Sequence, residues 1–331
     1  MHLILNSYGA LLQKENDLFV VSTPEGRQSF PPDKVKSISI AKAARITSDA
    51  VLLAIRHQID LLFVNDHGQP EGRVWSVQYG SISNIRRAQL DFLYSPAVVP
   101  WVKNLLHQKI NNQIALLLAL QPEDAAQQPA YNQVRFAINA LEEYKRRIAQ
   151  ATAETLSDIA PSLRGWEGAA GRKYFATLSA LLPDAYRFET RTRMPATDPF
   201  NSMLNYAYGI LYGKVEGALI KAGLDPYAGI FHRDEYNRPA LVYDVMEQYR
   251  MWMEYVVVQL CLQQALTADC FVTNPTTGAV LLEAYGKRIL IQAVNDYLAE
   301  IIELDGLERS RLTHIELQQQ ALAQFMLKHA H

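Results

Sequence analysis

Near residue 95 the apolar residues of this chain change their period. Up to that point they come in short aliphatic or β-branched runs cut by turn residues; beyond it they recur every three to four residues over four turns or more. A sheet and a helical bundle each demand one of these patterns, so the chain reads as α+β. A small N-terminal β domain over residues 1–94 is expected, followed by a larger all-α domain over 95–331. At 331 residues the chain suits two domains, each able to bury a core.

In the first part, Leu3 to Leu5, Leu18 to Ser22, Lys36 to Ile40, Leu61 to Val64 and Arg73 to Tyr79 read as strands. The punctuation between them is Ser7-Tyr8-Gly9, Pro24-Glu25-Gly26, Pro31-Pro32 and Asn65-Asp66-His67-Gly68. One segment departs from this: Thr47-Ser48-Asp49 offers capping oxygens ahead of Val51, Leu52, Ile55 and Ile59, which predicts a short helix covering the sheet. Beyond the joint at 91–100, helices are predicted over Trp101 to Leu120, Asn132 to Thr155, Trp166 to Leu182, Asn201 to Ala222, Leu241 to Leu266 and Ile289 to Leu304. Turn residues make Phe271 to Leu290 a hairpin or a pair of extended pieces.

Composition excludes several classes. Lys+Arg 32 against Asp+Glu 34, with 49% hydrophobic residues, rules out disorder, a rod or a histone-like polycation. Cys261 and Cys270 are too few to staple the chain and are not spaced as a metal pair, so they read as small buried thiols. No basic-then-apolar leader opens the sequence, and runs such as Ile114 to Leu120 fall short of the roughly 18 residues of a membrane span. A cytoplasmic protein without membrane contact is the expectation.

Three stretches of the helical part could carry chemistry. Around Glu167, the succession Gly168-Ala169-Ala170-Gly171 has little side chain to pack, so a close approach to this turn is expected. The bland alternative is a solvated basic face with one compensating glutamate. The connection Gly223 to His232 delivers a histidine behind Ile230 and Phe231, either as a ligand or as a structural hydrogen-bonding residue. On the predicted helix after Pro239, Asp244 and Glu247 at i and i+3 share a face and repel unless a cation sits near them; a plain acidic face is the alternative. Together these supply oxygen and imidazole ligands suited to Mn²⁺ or Mg²⁺. No His-Glu-x-x-His, Gly-x-x-x-x-Gly-Lys-Ser/Thr, Gly-x-Ser-x-Gly or Gly-x-Gly-x-x-Gly occurs, which leaves zincin, P-loop, serine hydrolase and dinucleotide-binding readings without support.

The stretches also occur in a telling order. Trp166-Glu167-Gly168-Ala169-Ala170 with Tyr174-Phe175 comes first, then Asp198-Pro199-Phe200-Asn201-Ser202-Met203-Leu204-Asn205-Tyr206. Gly223-Leu224-Asp225-Pro226-Tyr227 with Phe231-His232 follows, then Arg238 through Arg250. In this order they resemble the signature stretches of the CRISPR-associated adaptation integrase family, also described as endonucleases, the first-numbered Cas protein. The similarity spans about residues 160–290, with weaker N-terminal agreement ending in Arg86-Arg87-Ala88-Gln89.

The resemblance implies a homodimer, with dimerisation through the β domain, and a metal site of Glu167, His232 and Glu247 with Asp244 as an accessory carboxylate. Some members carry Asp at the last ligand position, so the division between Asp244 and Glu247 stays open. It further implies that short DNA fragments (spacers) are inserted into a CRISPR array together with the small second-numbered Cas protein. A 3′-hydroxyl attacks a phosphodiester and needs no protein nucleophile. Arg164, Arg172, Lys173, Arg187, Arg191 and Arg193 could position phosphates, joined by Arg86 and Arg87. The alternatives are a metal-dependent nuclease on branched or single-stranded DNA and a non-catalytic DNA-binding scaffold.

A DNA-handling protein of net charge −2 must segregate its charge. Arg164 to Arg193 holds six basic residues against three acidic ones. From Asp296 to Glu308 there are five acidic residues and no basic one. DNA binding is therefore expected on one face and should weaken with salt.

Overall fold

The computed structural model describes residues 1–41, 43–65, 70–74, 82–122, 128–232 and 238–330. The N-terminal part contains β1 (His2–Leu5), β2 (Leu11–Glu15), β3 (Leu18–Thr23), β4 (Gly26–Phe30), β5 (Ser37–Ala41), β6 (Arg45–Ile46), α1 (Ser48–Arg56), β7 (Asp60–Val64) and β8 (Pro70–Val74). They make two four-stranded sheets, ordered β1-β5-β7-β8 and β4-β3-β2-β6. In the first, β1, β5 and β7 run parallel and β8 is antiparallel to β7.

Four of the expected runs coincide with β1, β3, β5 and β7. The polar strand β2 escaped sequence reading, but Asn16 and Asp17 at φ 47° and 58° form the left-handed turn that pairs it with β3. The expected strand from Arg73 matches β8 as far as Val74; residues 75–79, like Asp66 to Gly68 of the preceding turn, lie outside the described residues. Thr47 caps α1 through its side-chain oxygen, which accepts from the Ala50 N–H, and α1 packs on β2 of one sheet and β7 of the other. Leu5, Leu12, Phe19, Ile38, Ile40, Leu53 and Leu61 fill the core between them.

The helical part follows as α2 (Ile82–Phe92), α3 (Val98–Ala119), α4 (Gln128–Gln150), α5 (Leu156–Leu181), α6 (Pro199–Lys221), α7 (Ala240–Met246) and α8 (Arg250–Leu262). Then come the hairpin β9 (Phe271–Thr273) and β10 (Val280–Leu282), α9 (Ala284–Ala299), the hairpin β11 (Ile301–Leu304) and β12 (Leu307–Ser310), and α10 (Arg311–His329). Although α2 precedes residue 95, its Phe92 is buried in the helical core against the rings of Trp101 and Phe325.

Four departures from the expected helices stand out. α5 starts ten residues before Trp166, because Pro161 falls in its second turn and removes only one helical hydrogen bond. The expected helix from Leu241 to Leu266 breaks at Glu247–Tyr249. The expected helix to Leu304 stops at Ala299, because Asp305 and Gly306 at φ 53° and 75° form a hairpin turn. α10 was not anticipated, since its buried face mixes His314 and Gln319 with Ile315, Leu322, Ala323 and Met326 and so blurs the apolar period.

α6 is the central helix, buried nearly all round. Gly213 and Gly217 let the first sheet approach it closely: a Cβ would meet the Pro70 ring at 3.2 Å in the one case and the Arg73 guanidinium at 2.6 Å in the other. Both cysteines are free and buried, and burial pushes the Cys261 thiol pKa upward. Among the described residues no helix is long and apolar enough to cross a membrane.

Candidate active site

Glu167 and Glu247 come from different elements and meet at one ammonium. Glu167 stands mid-α5, about a quarter exposed, and makes a close ion pair with Lys109 of α3. Glu247, only 6% exposed, stands 2.6 Å from the same Nζ and 2.9 Å from Nε of Arg250. Burial opposes ionisation of Glu247, yet Arg250 and Lys109 outweigh it and hold its carboxyl well below the usual carboxylate range. Burial likewise opposes charge on Lys109, and Glu247 and Glu167 reverse that effect.

The break after α7 is what aims Glu247 at Lys109. Asn112 of α3 donates to the Gln248 carbonyl at 3.1 Å, and the Tyr249 hydroxyl is held by Gln318 and Gln319 of α10 at 2.5 and 2.9 Å. The two carboxylates expected to act together on one helix face are thereby separated. Asp244 is fully buried, and its carboxylate is taken up by the loop that carries His232.

Asp244 organises the loop that carries His232. Its oxygens accept the backbone N–H groups of Ile230, Phe231 and His232 at 2.6, 3.0 and 2.8 Å, and His232 Nδ1 lies 2.7 Å from Oδ1. Gln89 of α2 grips the start of the same loop, accepting from the Asp225 N–H at 2.8 Å and donating to the carbonyls of Asp225 and Ala228 at 2.8 and 3.0 Å. Arg164 donates to the Phe231 carbonyl at 2.9 Å, so this arginine holds the histidine loop.

Among the described residues, no protein group makes the close approach expected over Gly168 to Gly171. A Cβ at Gly165 or Gly171 would meet nothing within 4 Å, and at Gly168 only the Arg172 guanidinium at 3.7 Å. Missing side chains here leave open room beside Glu167, whereas Ala170 and Tyr174 on the other side of α5 are buried.

Behind Glu247 the polar groups continue inward. Arg250 lies over the Tyr208 ring, 4.8 Å from its centroid, and the hydroxyls of Tyr208 and Tyr174 each donate to the buried Glu254 at 2.6 Å. Burial and the Glu254 charge push both phenols well above their ordinary range.

A cleft of about 1090 Å³ opens between β8 and the helical part, lined by Arg86, Arg191, Arg193, Arg238, Arg250 and Tyr243 among others; it reaches the site through Arg250, and Glu167, His232 and Glu247 do not line it. Of the basic residues singled out from sequence, Arg86, Arg191 and Arg193 reach this cleft. Arg191 is engaged by Asn201 and Asn205 at 2.8 and 2.6 Å. Arg187 pairs with Asp184 at 2.8 Å, while Arg87, Arg172 and Lys173 are exposed. Sequence reasoning missed Lys109, Gln89, Arg238 and Arg250. The one available signal for Lys109 was Lys109-Ile110-Asn111-Asn112-Gln113, a polar interruption in an otherwise apolar segment.

Among the described residues, no three His, Cys, Asp or Glu side chains converge as a metal cluster. The donors nevertheless fit a hard divalent ion. Two carboxylates already point at one cation, and a carboxylate holds His232 Nδ1, which leaves Nε2 as the ring nitrogen for a ligand.

Fold and site together define a class: a β domain set on a helical domain, with two carboxylates and an oriented imidazole beside a basic cleft. The family model described as CRISPR associated protein Cas1 matches residues 3–296, and the chain belongs to this family. It is 31% identical over 281 residues to CRISPR-associated endonuclease Cas1 1 of Archaeoglobus fulgidus, covering 82% of this chain and 81% of the relative. It is 28% identical over 330 residues to CRISPR-associated endonuclease Cas1 1 of Thermus thermophilus, covering 99% and 96%. Among solved structures, a Cas1 protein from Thermotoga maritima shares the fold at TM-score 0.82 and 18% identity over 99% of this chain and 97% of its own. A casposase bound to integration product does so at TM-score 0.80 and 20% identity, over 99% and 90%.

Proposed function

We propose that this Cas1 family member is a metal-dependent integrase of CRISPR adaptation. It joins the 3′-hydroxyl of a short DNA fragment to a phosphodiester of a CRISPR array, as a homodimer working with the small second-numbered Cas protein. The observation that carries this reading is the common cation seat of Glu167 and Glu247, in a chain whose relatives are named endonucleases.

Glu167, Glu247 and His232 would hold a Mn²⁺ or Mg²⁺ ion, which would supply Lewis-acid polarisation of the phosphoryl group. Glu167 and Glu247 offer carboxylate oxygens, and His232 offers a ring nitrogen whose orientation Asp244 fixes through Nδ1. In the exchange the incoming 3′-oxygen bonds to phosphorus as the bond from phosphorus to the array 3′-oxygen breaks, and the proton given up to water by the one is taken up by the other, so no side chain becomes covalently attached. The open room at Gly165 and Gly171 admits the backbone beside Glu167. Arg172 and Lys173 on the exposed side of α5, with Arg86, Arg191 and Arg193 at the cleft, are the phosphate contacts of this reading.

Glu167→Ala and His232→Ala should each abolish Mn²⁺-dependent strand transfer while leaving the circular dichroism spectrum unchanged; full activity in either variant overturns the assignment. Products that are cut but never joined point to a nuclease instead. Salt-sensitive DNA binding with no Mn²⁺-dependent product points to a scaffold.

A further inference from the structure

Lys109 is neither a metal ligand nor a phosphate contact in the proposed chemistry, because its ammonium faces the two carboxylates. Its side chain is 12% exposed, it rises from the middle of α3 between the buried Leu106 and Ile110, and its nitrogen lies between Glu167 and Glu247. A lysine gives up strong hydration to sit in such a place, and the two carboxylates compensate it.

Among the groups that directly contact Lys109 and Glu247, charge is balanced without any metal. Glu167 and Glu247 carry two negative charges, and Lys109 and Arg250 carry two positive ones. Adding a dication to the same oxygens would bring two further positive charges to contact distance of the ammonium and the guanidinium, where partial burial weakens screening. Arg250 is held in place by the Tyr208 ring beneath it. Lys109 offers a single nitrogen on a flexible four-carbon stem.

Resting on the metal reading above, we propose that Lys109 is a resident counter-cation that occupies the divalent-ion seat in the metal-free protein and must leave it when the ion binds. The metal-free site is then a folded, charge-balanced resting state. Metal affinity is set by the exchange of one cation for another.

The experiment compares Mn²⁺ affinity, from the electron paramagnetic resonance signal of free Mn²⁺, in wild type, Lys109→Met and Glu167→Gln, together with thermal unfolding with and without Mn²⁺. Lys109→Met should melt below wild type without metal, bind Mn²⁺ about tenfold tighter or more, and gain more melting temperature from the ion. Equal or weaker Mn²⁺ binding by Lys109→Met overturns the exchange. Wild-type affinity in Glu167→Gln would instead overturn the metal site itself, so the two failures are distinguishable. If Lys109→Met does not fold, wild type alone decides through amine-reactive labelling read by mass spectrometry. Lys109 should label faster at saturating Mn²⁺, and an unchanged rate overturns the proposal.

Discussion

Arg73 on β8 and Lys109 on α3 are both buried cations set between two carboxylates from other elements, yet they are built differently. The Arg73 guanidinium donates to Asp60 at 3.0 Å, to Glu216 at 3.2 and 3.3 Å and to the Gly213 carbonyl at 2.6 Å, so all three of its nitrogens are engaged. Gly217 is shaped around it, since a Cβ there would collide with the fork. Lys109 meets its partners with one nitrogen, and one of them, Glu167, is open to solvent. A planar fork with directional bonds from all three nitrogens fastens the first sheet to α6, a geometry that a single point charge does not reproduce. A point charge between two carboxylates can be exchanged for another point charge. The same charge pattern therefore serves as a joint in one region and, in our proposal, as a replaceable occupant in the other.

This contrast can be broken experimentally. The largest effect is expected from Arg73→Met, which leaves the half-buried Asp60 and Glu216 without their shared cation, with only Lys221 at 3.6 Å remaining beside Asp60. A loss of about 3–5 kcal/mol should appear in urea unfolding, and it should be insensitive to Mn²⁺, unlike the loss in Lys109→Met. Recovery of Arg73→Met by Mn²⁺ would erase the distinction between the two sites.

Lys214, beside the same joint, comes next. It is buried near His2 and Ser37, and burial brings its pKa down to about 8. Below pH 8 folded and unfolded chains are both protonated and the folded state carries the burial penalty. Between pH 8 and 10.5 the unfolded chain binds the extra proton, so stability attributable to this residue rises with pH. Lys214→Met should thus be more stable than wild type by about 2–3 kcal/mol at pH 7, with the gap closing towards pH 10. A constant gap across that range would show that the amine is not desolvated in the joint.

The smallest effect is expected at Gln89. Gln89→Ala strands the Asp225 N–H and two carbonyls, at about 1–2 kcal/mol in thermal unfolding, and should lower strand transfer by loosening the His232 loop. Unchanged strand transfer would mean that Asp244 alone suffices to hold the histidine.

How much of this was legible in the sequence follows from the range of each interaction. Strands β1, β3, β5 and β7 and most of the long helices announce themselves because their apolar period is a property of neighbouring residues. Thr47 as the cap of α1 and Asn274 to Gly278 as a turn are equally local. The Asp305-Gly306 turn was just as local, and its signal was simply overlooked in favour of a continuing helix.

Glu167, His232, Asp244 and Glu247 could be picked out as candidates because they sit in ordered, recognisable stretches. Their division of labour was not readable. Whether the helix after Pro239 runs on past Glu247 depends on Asn112 and on Tyr249 gripping α10, contacts from segments far away in the chain.

The amino-acid order was sufficient for the change from strand to helix, the α+β class and the family, since periodicity and ordered motifs are written residue after residue. It could not show that Lys109, 58 residues before Glu167, closes the charge at the site, nor that Gln89 reaches across 136 residues to hold the histidine loop. Charges and hydrogen-bonding groups find partners through space, and those partners exist only once packing has brought the helices together.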